Sequence, residues 1–196
     1  MSKKIIVVGG ANGVGKTTFA HQYRDEYKID YLGADEIAAG IEKGNNDKNV
    51  ELKAGKIFFK KLGEYLESGK SIIVESTLSG TGLSRQIEKC KIKGFSIHLV
   101  YVFLDDFSLC KKRVYARVQK GGHSVPEDDI ERRFFRSISN FRKIYLPLAD
   151  SWQIIYNGLK RPIEIAIGDK DSEVVMDEGY YRKLEELSKW KRKLKN

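Results

Sequence analysis

The sequence predicts an α/β protein with three layers, in which helices cover both faces of a five-stranded, mainly parallel β-sheet. Short apolar segments alternate along the chain with longer segments of helical periodicity, a pattern typical of parallel strands joined by right-handed crossovers. Glycines or acidic residues follow several of the apolar segments, at the sheet edge where ligands bind. No repeat or proline-rich linker divides the 196 residues, so we expect one domain over residues 1–196.

Apolar runs predict the five strands, at residues 4–9, 30–35, 71–75, 95–104 and 153–156. The first reads Ile-Ile-Val-Val before a glycine pair, and the third follows Gly69. The fourth contains the longest apolar run, residues 99–104, which suits a central strand covered on both faces. That run is far shorter than the roughly 18 residues of a membrane span, so we expect no membrane partner.

Apolar residues at helical spacing predict the helices, at residues 16–27, 47–68, 106–119 and 127–150, with another between the third and fourth strands that ends at residue 91. In the second of these, Val50, Ala54 and Phe58 recur every four residues. Pro126 is preorganised for the first turn of the helix that follows it.

The end of the chain predicts a late hairpin and a charged helix within residues 160–196. Residues 163–167 and 173–176 alternate between apolar and polar side chains, and the helix starts at about Gly179. We treat both as additions to the five-stranded sheet.

Basic residues exceed acidic ones, at 36 to 27, and give a formal net charge of +9. Such an excess suits a nucleic acid or a phosphate-rich small substrate. Five of the basic residues lie within residues 189–196, which we interpret as a solvated helix end, so we do not expect nucleic acid as a partner. Cys90 and Cys110 provide neither a disulfide framework nor metal-ligand spacing, which favours a cytoplasmic location.

Residues 10–17 fit the phosphate-loop pattern G-x-x-x-x-G-K-[ST] at every fixed position, between a predicted strand and a predicted helix. Its glycines let backbone N–H groups surround phosphates, and the dipole of the following helix favours an anion. Lys16 should reach the β- and γ-phosphates and the Thr17 hydroxyl should ligate Mg²⁺. We therefore predict a P-loop NTPase fold with ATP and Mg²⁺ as cofactors. The predicted ATP-binding residues are Gly10, Ala11, Asn12, Gly13, Val14, Gly15, Lys16, Thr17 and Thr18.

Other NTPase classes lack their signatures in this sequence. A GTPase requires an N/T-K-x-D guanine motif, and residues 168–171, which read Gly-Asp-Lys-Asp, have the wrong spacing. An AAA or ABC ATPase would require an apolar strand that ends in Asp-Glu, and an ABC protein also a signature loop; the sequence contains neither.

Acidic residues at two predicted strand ends favour a kinase. Asp35 can accept the proton of a substrate hydroxyl as it attacks the γ-phosphate; alternatively, it caps the next helix. Glu75 is expected to contact substrate or Mg²⁺ with the Thr77 hydroxyl alongside; alternatively, it is an acid at a helix start. For Asp105 and Asp106, which follow the fourth strand, we favour helix capping.

Arginines on both sides of a glycine pair predict a mobile lid over residues 113–136. Arg113 and Arg117 share one face of a helix, and further arginines follow the glycines at positions 132, 133 and 136. Such cations stabilise charge on the transferred phosphoryl group, and a closed lid excludes water. The alternative is a solvated basic face. His123 is interpreted as a lid contact to phosphate or sugar, or as a turn histidine.

Together these segments resemble the zeta toxin-like P-loop kinases, and in particular a small bacterial branch labelled predicted ABC-type ATPase. The resemblance covers about residues 4–157. It is carried by the phosphate loop, by Ala34-Asp35-Glu36, by Glu75-Ser76-Thr77-Leu78, and by Gly121-Gly122-His123-Ser124-Val125-Pro126 with Arg132-Arg133.

This resemblance implies ATP-dependent phosphorylation of a UDP-amino sugar, such as UDP-N-acetylglucosamine, and an antitoxin protein as a partner. It implies a catalytic set of Asp35 as the base with Lys16, Arg113 and Arg117. It also implies a substrate-binding set of Asp35, Glu75, Thr77, His123 and Arg133. Two alternatives remain open: a P-loop kinase of another small hydroxylated substrate, such as a nucleoside, sugar acid or antibiotic, and an NTP-binding module directed at nucleic acid.

Overall fold

The computed structural model describes residues 3–42, 50–122 and 125–189. Its elements are β1 (Lys4–Gly9), α1 (Lys16–Tyr27), β2 (Asp30–Gly33), α2 (Ala34–Glu42), α3 (Val50–Ser68), β3 (Ile72–Ser76), α4 (Gly82–Ile92), β4 (Ser96–Phe103), α5 (Phe107–Gln119), α6 (Glu127–Asn140), β5 (Ser151–Tyr156), β6 (Ile163–Asp169), β7 (Glu173–Val175) and α7 (Glu178–Lys189). A π-helical turn (Phe141–Tyr145) and a 3-10 turn (Leu146–Leu148) connect α6 to β5.

One seven-stranded sheet, in the order β2-β3-β1-β4-β5-β6-β7, organises these elements. The first five strands run parallel, which confirms the predicted α/β class. The five predicted strands are present, and the predicted C-terminal hairpin extends the sheet to seven, because β6 pairs with β5 and β7 pairs with β6, both antiparallel. The hairpin thus covers the backbone groups of β5 that would otherwise form an open sheet edge.

We predicted that residues 34 and 35 continue the second strand, but in the structure they do not. The chain becomes helical at Ala34, so Asp35 lies in the first turn of α2. The sequence analysis missed this helix. Its apolar positions Ile37, Ala38 and Ile41 have helical spacing, but the helix has only nine residues, too few to show a clear period.

The predicted helix over 127–150 is also shorter than expected. Regular α-helix ends at Asn140, and the π and 3-10 turns follow. Pro147 lies in the 3-10 turn, where it has no N–H to continue an α-helix. The π turn places Phe141 in the core, with its ring stacked on Tyr101 at a centroid distance of 3.9 Å.

The core lies on both faces of the central strands. Every residue of β1 after Lys4 is buried, and so are the last five residues of β4. Such strands show continuous apolar runs because helices cover both faces. No helix among the described residues is both long and apolar enough to cross a membrane.

The residues after β4 divide between two roles. Asp106 caps α5 as predicted, since its Oδ1 accepts a hydrogen bond from the Ser108 N–H at 2.7 Å. Asp105 is not a cap, which corrects our prediction. Its carboxylate accepts hydrogen bonds from the Tyr156 hydroxyl at 2.6 Å and the Lys183 ammonium at 2.7 Å, and so joins β4, β5 and α7.

A second carboxylate, that of Asp150, holds the opposite end of β4. It accepts hydrogen bonds from the Ile97 N–H at 2.8 Å and from Lys91 at 3.0 Å, and Lys170 lies 2.7 Å away. Burial opposes its ionisation, but the donors from Lys170, Ile97 and Lys91 outweigh burial and hold the pKa of Asp150 at about 2.

We expect Asp150→Asn to lower the free energy of unfolding at neutral pH by about 1–2 kcal/mol. The folded-state pKa of Asp150 lies below its ordinary value of 3.8. Its contribution is therefore complete above about pH 4 and is lost as the pH falls towards 2. Denaturant titrations of both proteins between pH 7 and pH 2 measure the difference. The difference in the free energy of unfolding should shrink as the pH falls from about 4 towards 2. The control Asp171→Asn, in the neighbouring exposed turn, should change the free energy of unfolding little. An equal difference at all pH values would contradict this account.

Candidate active site

The predicted phosphate loop connects β1 to α1 and is closely packed from two sides. A Cβ at Gly10 would lie 2.2 Å from the Val102 carbonyl oxygen, and one at Gly13 would lie 2.3 Å from the Cys110 carbonyl oxygen. Both glycines also have positive φ angles, of 146° and 83°, a conformation that other residues rarely adopt. The loop therefore rests directly on β4 and α5, and larger side chains would displace it.

Two side chains of the loop are buried and polar. Lys16 is 6% exposed and its Nζ donates to the Ala11 carbonyl at 2.9 Å. Asn12 is 1% exposed, and neither polar atom of its amide has a partner among the described residues. Buried polar atoms are usually hydrogen-bonded. An orphaned amide beside a buried ammonium, in a loop of glycines, fits the binding of a polyphosphate.

Glu75, at the end of β3, links the loop to the sheet. Its Oε1 accepts a hydrogen bond from the Thr17 hydroxyl at 3.1 Å and lies 3.9 Å from Lys16 Nζ. Its Oε2 accepts a hydrogen bond from the Tyr31 hydroxyl at 2.8 Å. Glu75 is 5% exposed, and a carboxylate so buried requires such partners.

Oxygen donors suitable for Mg²⁺ meet at this point. Mg²⁺ is usually held by one or two protein oxygens together with substrate phosphates and water. The Thr17 hydroxyl and the Glu75 carboxylate fit that requirement. The described residues contain no group of three or more His, Cys, Asp or Glu side chains that could hold a metal ion. The two oxygen groups of Thr17 and Glu75 fit a metal that arrives with the nucleotide. Thr18 follows in the first turn of α1 and is exposed.

A cleft of about 470 Å³ opens next to Lys16. Its lining includes the predicted residues Asp35, Glu75, Thr77 and Arg133. Arginines of α6 and aromatic residues also line it, namely Arg132, Arg136, Phe58, Phe59 and Tyr145. The fold thus gathers two carboxylates, several hydroxyls and three guanidinium groups around one space beside the phosphate loop.

Hydrogen bonds from α6 and the π turn fix the loop after β3. Leu78 has a positive φ of 54°, and its carbonyl accepts a hydrogen bond from Asn140 Nδ2 at 2.9 Å. The Tyr145 hydroxyl donates to the Gly80 carbonyl at 2.5 Å. These contacts from α6 and the π turn hold the loop so that Thr77 lines the cleft, where its Oγ1 lies 2.9 Å from Ser79 Oγ.

The two predicted lid arginines have different contacts. Arg117 Nη1 donates to Asp35 Oδ2 at 3.3 Å, and more than a third of each side chain is exposed. Arg113 Nη2 donates to the Asn157 carbonyl at 2.9 Å. Arg117 thus contacts a residue that lines the cleft, whereas Arg113 is held beside the phosphate loop.

Asn157 was missed by the sequence analysis. Its Nδ2 donates to the Val14 carbonyl at 2.8 Å and would lie 2.5 Å from a Cβ at Gly15. A signal was present, because Asn157 directly follows the fifth predicted strand, at the edge where the other site residues lie. Tyr31 was also missed, and its position within a strand gave no such signal.

The arginines of α6 line the cleft, and two of them also pair with Asp129 of the same helix. Arg133 is 16% exposed and lies 3.5 Å from Asp129 Oδ2, and Arg132 lies 2.7 Å from Asp129 Oδ1. Their guanidinium groups are thus held partly in place while they line the cleft. The predicted contact from His123 lies outside the described residues.

Comparison with known families gives a direct match. A family model described as an AAA domain matches residues 5–137, a span that includes the phosphate loop, Asp35, Glu75 and both arginines of α5. We predicted no AAA ATPase because no apolar strand ends in Asp-Glu, and this match shows that the criterion was too strict. An uncharacterized protein of Haemophilus influenzae is 32% identical over 137 residues, which covers 68% of this chain and 94% of that relative.

Solved structures share the fold at lower identity. The ATP-bound AvrRxo1-ORF1:-ORF2 complex has a TM-score of 0.75 at 15% identity and covers 93% of this chain and 63% of that chain. The PezAT toxin–antitoxin system of Streptococcus pneumoniae gives 0.61 at 16% identity, with 97% and 81% covered. A Chloroflexus aurantiacus protein provisionally described as a kinase gives 0.59 at 19% identity, with 70% and 80% covered.

The family model spans more than half of the chain and includes every residue that lines the cleft except Tyr145. The mostly parallel sheet and its flanking helices match the fold of the solved structures just named. The chain therefore belongs to the AAA domain family and shares its fold with these structures.

Proposed function

We propose that the protein is an ATP-dependent kinase that transfers the γ-phosphate to a hydroxyl group of a small molecule. One observation carries the proposal: Asp35, a partly exposed carboxylate, lines the same cleft as the phosphate-loop lysine Lys16. A kinase of this type requires a cation at the γ-phosphate and a group that accepts the hydroxyl proton. Nucleotide hydrolysis alone would not require an acceptor cleft of this size.

The chemistry divides between residues as follows. Backbone N–H groups of the loop and the Lys16 ammonium hold the β- and γ-phosphates. The acceptor oxygen forms a bond to the γ-phosphorus while the bond from that phosphorus to the β–γ bridging oxygen breaks and ADP leaves. Asp35 takes the hydroxyl proton. When bound, Mg²⁺ would neutralise phosphate charge near Thr17 and Glu75.

The contact between Arg117 and Asp35 suggests how the lid takes part. An exposed ion pair of this kind contributes about 0–1 kcal/mol, so little is lost when it breaks. We propose that Arg117 leaves Asp35 for the γ-phosphate when ATP and acceptor are both bound. That movement frees the base and adds a cation where negative charge develops. Arg113 supports the phosphates from its position beside Asn157.

For the acceptor we propose a UDP-amino sugar. The resemblance to zeta toxin-like kinases supports it, and so do the guanidinium groups of Arg132, Arg133 and Arg136 in the cleft. Guanidinium groups bind phosphate oxygens in paired hydrogen bonds, which suits a diphosphate. The aromatic side chains Phe58, Phe59 and Tyr145 supply apolar surface for a sugar or base. Screening ATP consumption against UDP-sugars, nucleosides and sugar acids separates this acceptor from the alternatives.

A protein partner is also part of the proposal. The resemblance implies an antitoxin, and two of the structurally similar proteins were solved as the AvrRxo1-ORF1:-ORF2 complex and the PezAT toxin–antitoxin system. We propose that such a partner, if bound, acts by limiting access to the cleft, which kinase assays with and without it would measure.

We expect Asp35→Asn to reduce phosphoryl transfer by about 10²–10⁴-fold with little change in ATP affinity, because the amide cannot accept the proton. Kinetic assays and equilibrium titration with ATP measure the two effects. The matched control is Asp25→Asn, an exposed carboxylate of α1 that pairs with Arg24 and should leave both unchanged. Transfer at the parental rate would show that Asp35 has only a structural role in the first turn of α2.

We expect Arg117→Ala and Arg113→Ala each to lower the turnover rate by about 10²-fold and to weaken ATP binding much less, because these cations act mainly on charge that develops during transfer. Lys112→Ala removes an exposed cation from the same helix and should change neither quantity. Steady-state assays over a range of ATP concentrations give the comparison. If both arginine variants lost only affinity, with turnover at saturation unchanged, the arginines would be ground-state binders.

A further inference from the structure

Strand β2 carries a tyrosine that reaches into the active site without lining its cleft. The Tyr31 hydroxyl donates to Glu75 Oε2 at 2.8 Å. Glu75 turns its other oxygen, Oε1, towards the Thr17 hydroxyl and Lys16. The tyrosine therefore contacts the far side of the carboxylate that faces the phosphate loop. Neither the sequence motifs nor the proposed chemistry assigns it a role.

The backbone next to Glu75 leaves room for this hydroxyl. Gly33 is paired in register with Glu75, and a Cβ at Gly33 would lie 2.1 Å from the Tyr31 hydroxyl oxygen. Any larger residue at that position would displace the hydroxyl. On its other side the Tyr31 ring contacts His21 of α1 edge-on, at a centroid distance of 5.1 Å. Contacts with His21 of α1 and with Glu75 of β3 therefore hold the ring, and they keep its hydroxyl beside Glu75.

The hydroxyl supplies a hydrogen-bond donor that a buried carboxylate requires. Glu75 is 5% exposed, and an oxygen that lost this donor would be left buried without a partner. Such a loss is costly, and the carboxylate would rotate or recruit water to relieve it.

We propose that Tyr31 is a positioning residue for metal-bound nucleotide: it fixes the Glu75 carboxylate so that Oε1 stays directed at Thr17 and the metal position. This inference rests on the proposed function to the extent that Thr17 and Glu75 serve Mg²⁺·ATP. Partners that orient metal-site ligands in this way typically affect metal affinity or activity by about 10–100-fold. Tyr31 itself touches neither nucleotide nor acceptor.

The test is the ratio of two equilibrium affinities for ATP, one measured with Mg²⁺ and one in EDTA, by isothermal titration. We expect Tyr31→Phe to lower this ratio by about tenfold or more, with the affinity for metal-free ATP unchanged. The matched control is Tyr65→Phe. Tyr65 also donates its hydroxyl to a carboxylate, Asp30 Oδ2 at 3.1 Å, on the same strand but away from Glu75, and its removal should leave the ratio unchanged.

A second variant covers the case in which Tyr31→Phe does not fold. Gly33→Ala keeps the tyrosine but displaces its hydroxyl, and should lower the ratio in the same direction. A parental ratio in a folded Tyr31→Phe or Gly33→Ala protein overturns the inference, as does a wild-type protein without Mg²⁺ preference. No acceptor is present in these titrations. A lowered ratio in a protein that transfers no phosphate would therefore leave this inference standing while the proposed kinase activity failed.

Discussion

The buried carboxylate of Glu75 joins three parts of the chain that are far apart in sequence, and the geometry of the site depends on it. Through Thr17 it holds the start of α1, through Tyr31 it holds β2, and it lies 3.9 Å from Lys16 Nζ. A charge this deeply buried is tolerated only when it is paired and hydrogen-bonded. The sheet order β2-β3-β1 places all of these partners beside the end of β3, so the topology supplies what the charge requires.

The same edge of the sheet also positions residues that line the cleft. Asp35 follows β2 directly and Thr77 follows β3, while α6 brings its arginines over the cleft. The carboxyl ends of β1, β2 and β3 thus supply the phosphate loop, Asp35, and Glu75 with Thr77, as expected where ligands bind in open α/β sheets. The loop glycines allow close packing on β4 and α5, so α5, which carries the two arginines of the proposed lid, is in direct contact with the phosphate loop. If the lid moves as we propose, that movement would shift the loop that holds the phosphates.

Local patterns in the sequence predicted the parts of this arrangement that depend on local rules. The bounds of β1 and α1 matched, because an apolar run, a glycine loop and a helix follow each other directly. Asp35 and Glu75 were found as residues at strand ends. The contact of Tyr31 with Glu75 could not be found in that way, since it joins two strands 44 residues apart. Asn157 does follow a predicted strand, but its contact with Val14, 143 residues away, depends on the order of strands in the sheet. The last strand, β7, was predicted as part of the C-terminal hairpin. Helix α2 was missed because so short an element takes its structure from the sheet and cleft around it.

Incubation of the protein with a metabolite extract, Mg²⁺ and ATP, followed by mass spectrometry, tests the central claim most directly. The account predicts that ADP accumulates together with one metabolite that has gained a single phosphate, a UDP-amino sugar by our proposal. A folded Lys16→Ala protein should produce neither, because the cation at the β- and γ-phosphates is lost. Release of inorganic phosphate from ATP with no phosphorylated metabolite would contradict the assignment of a kinase.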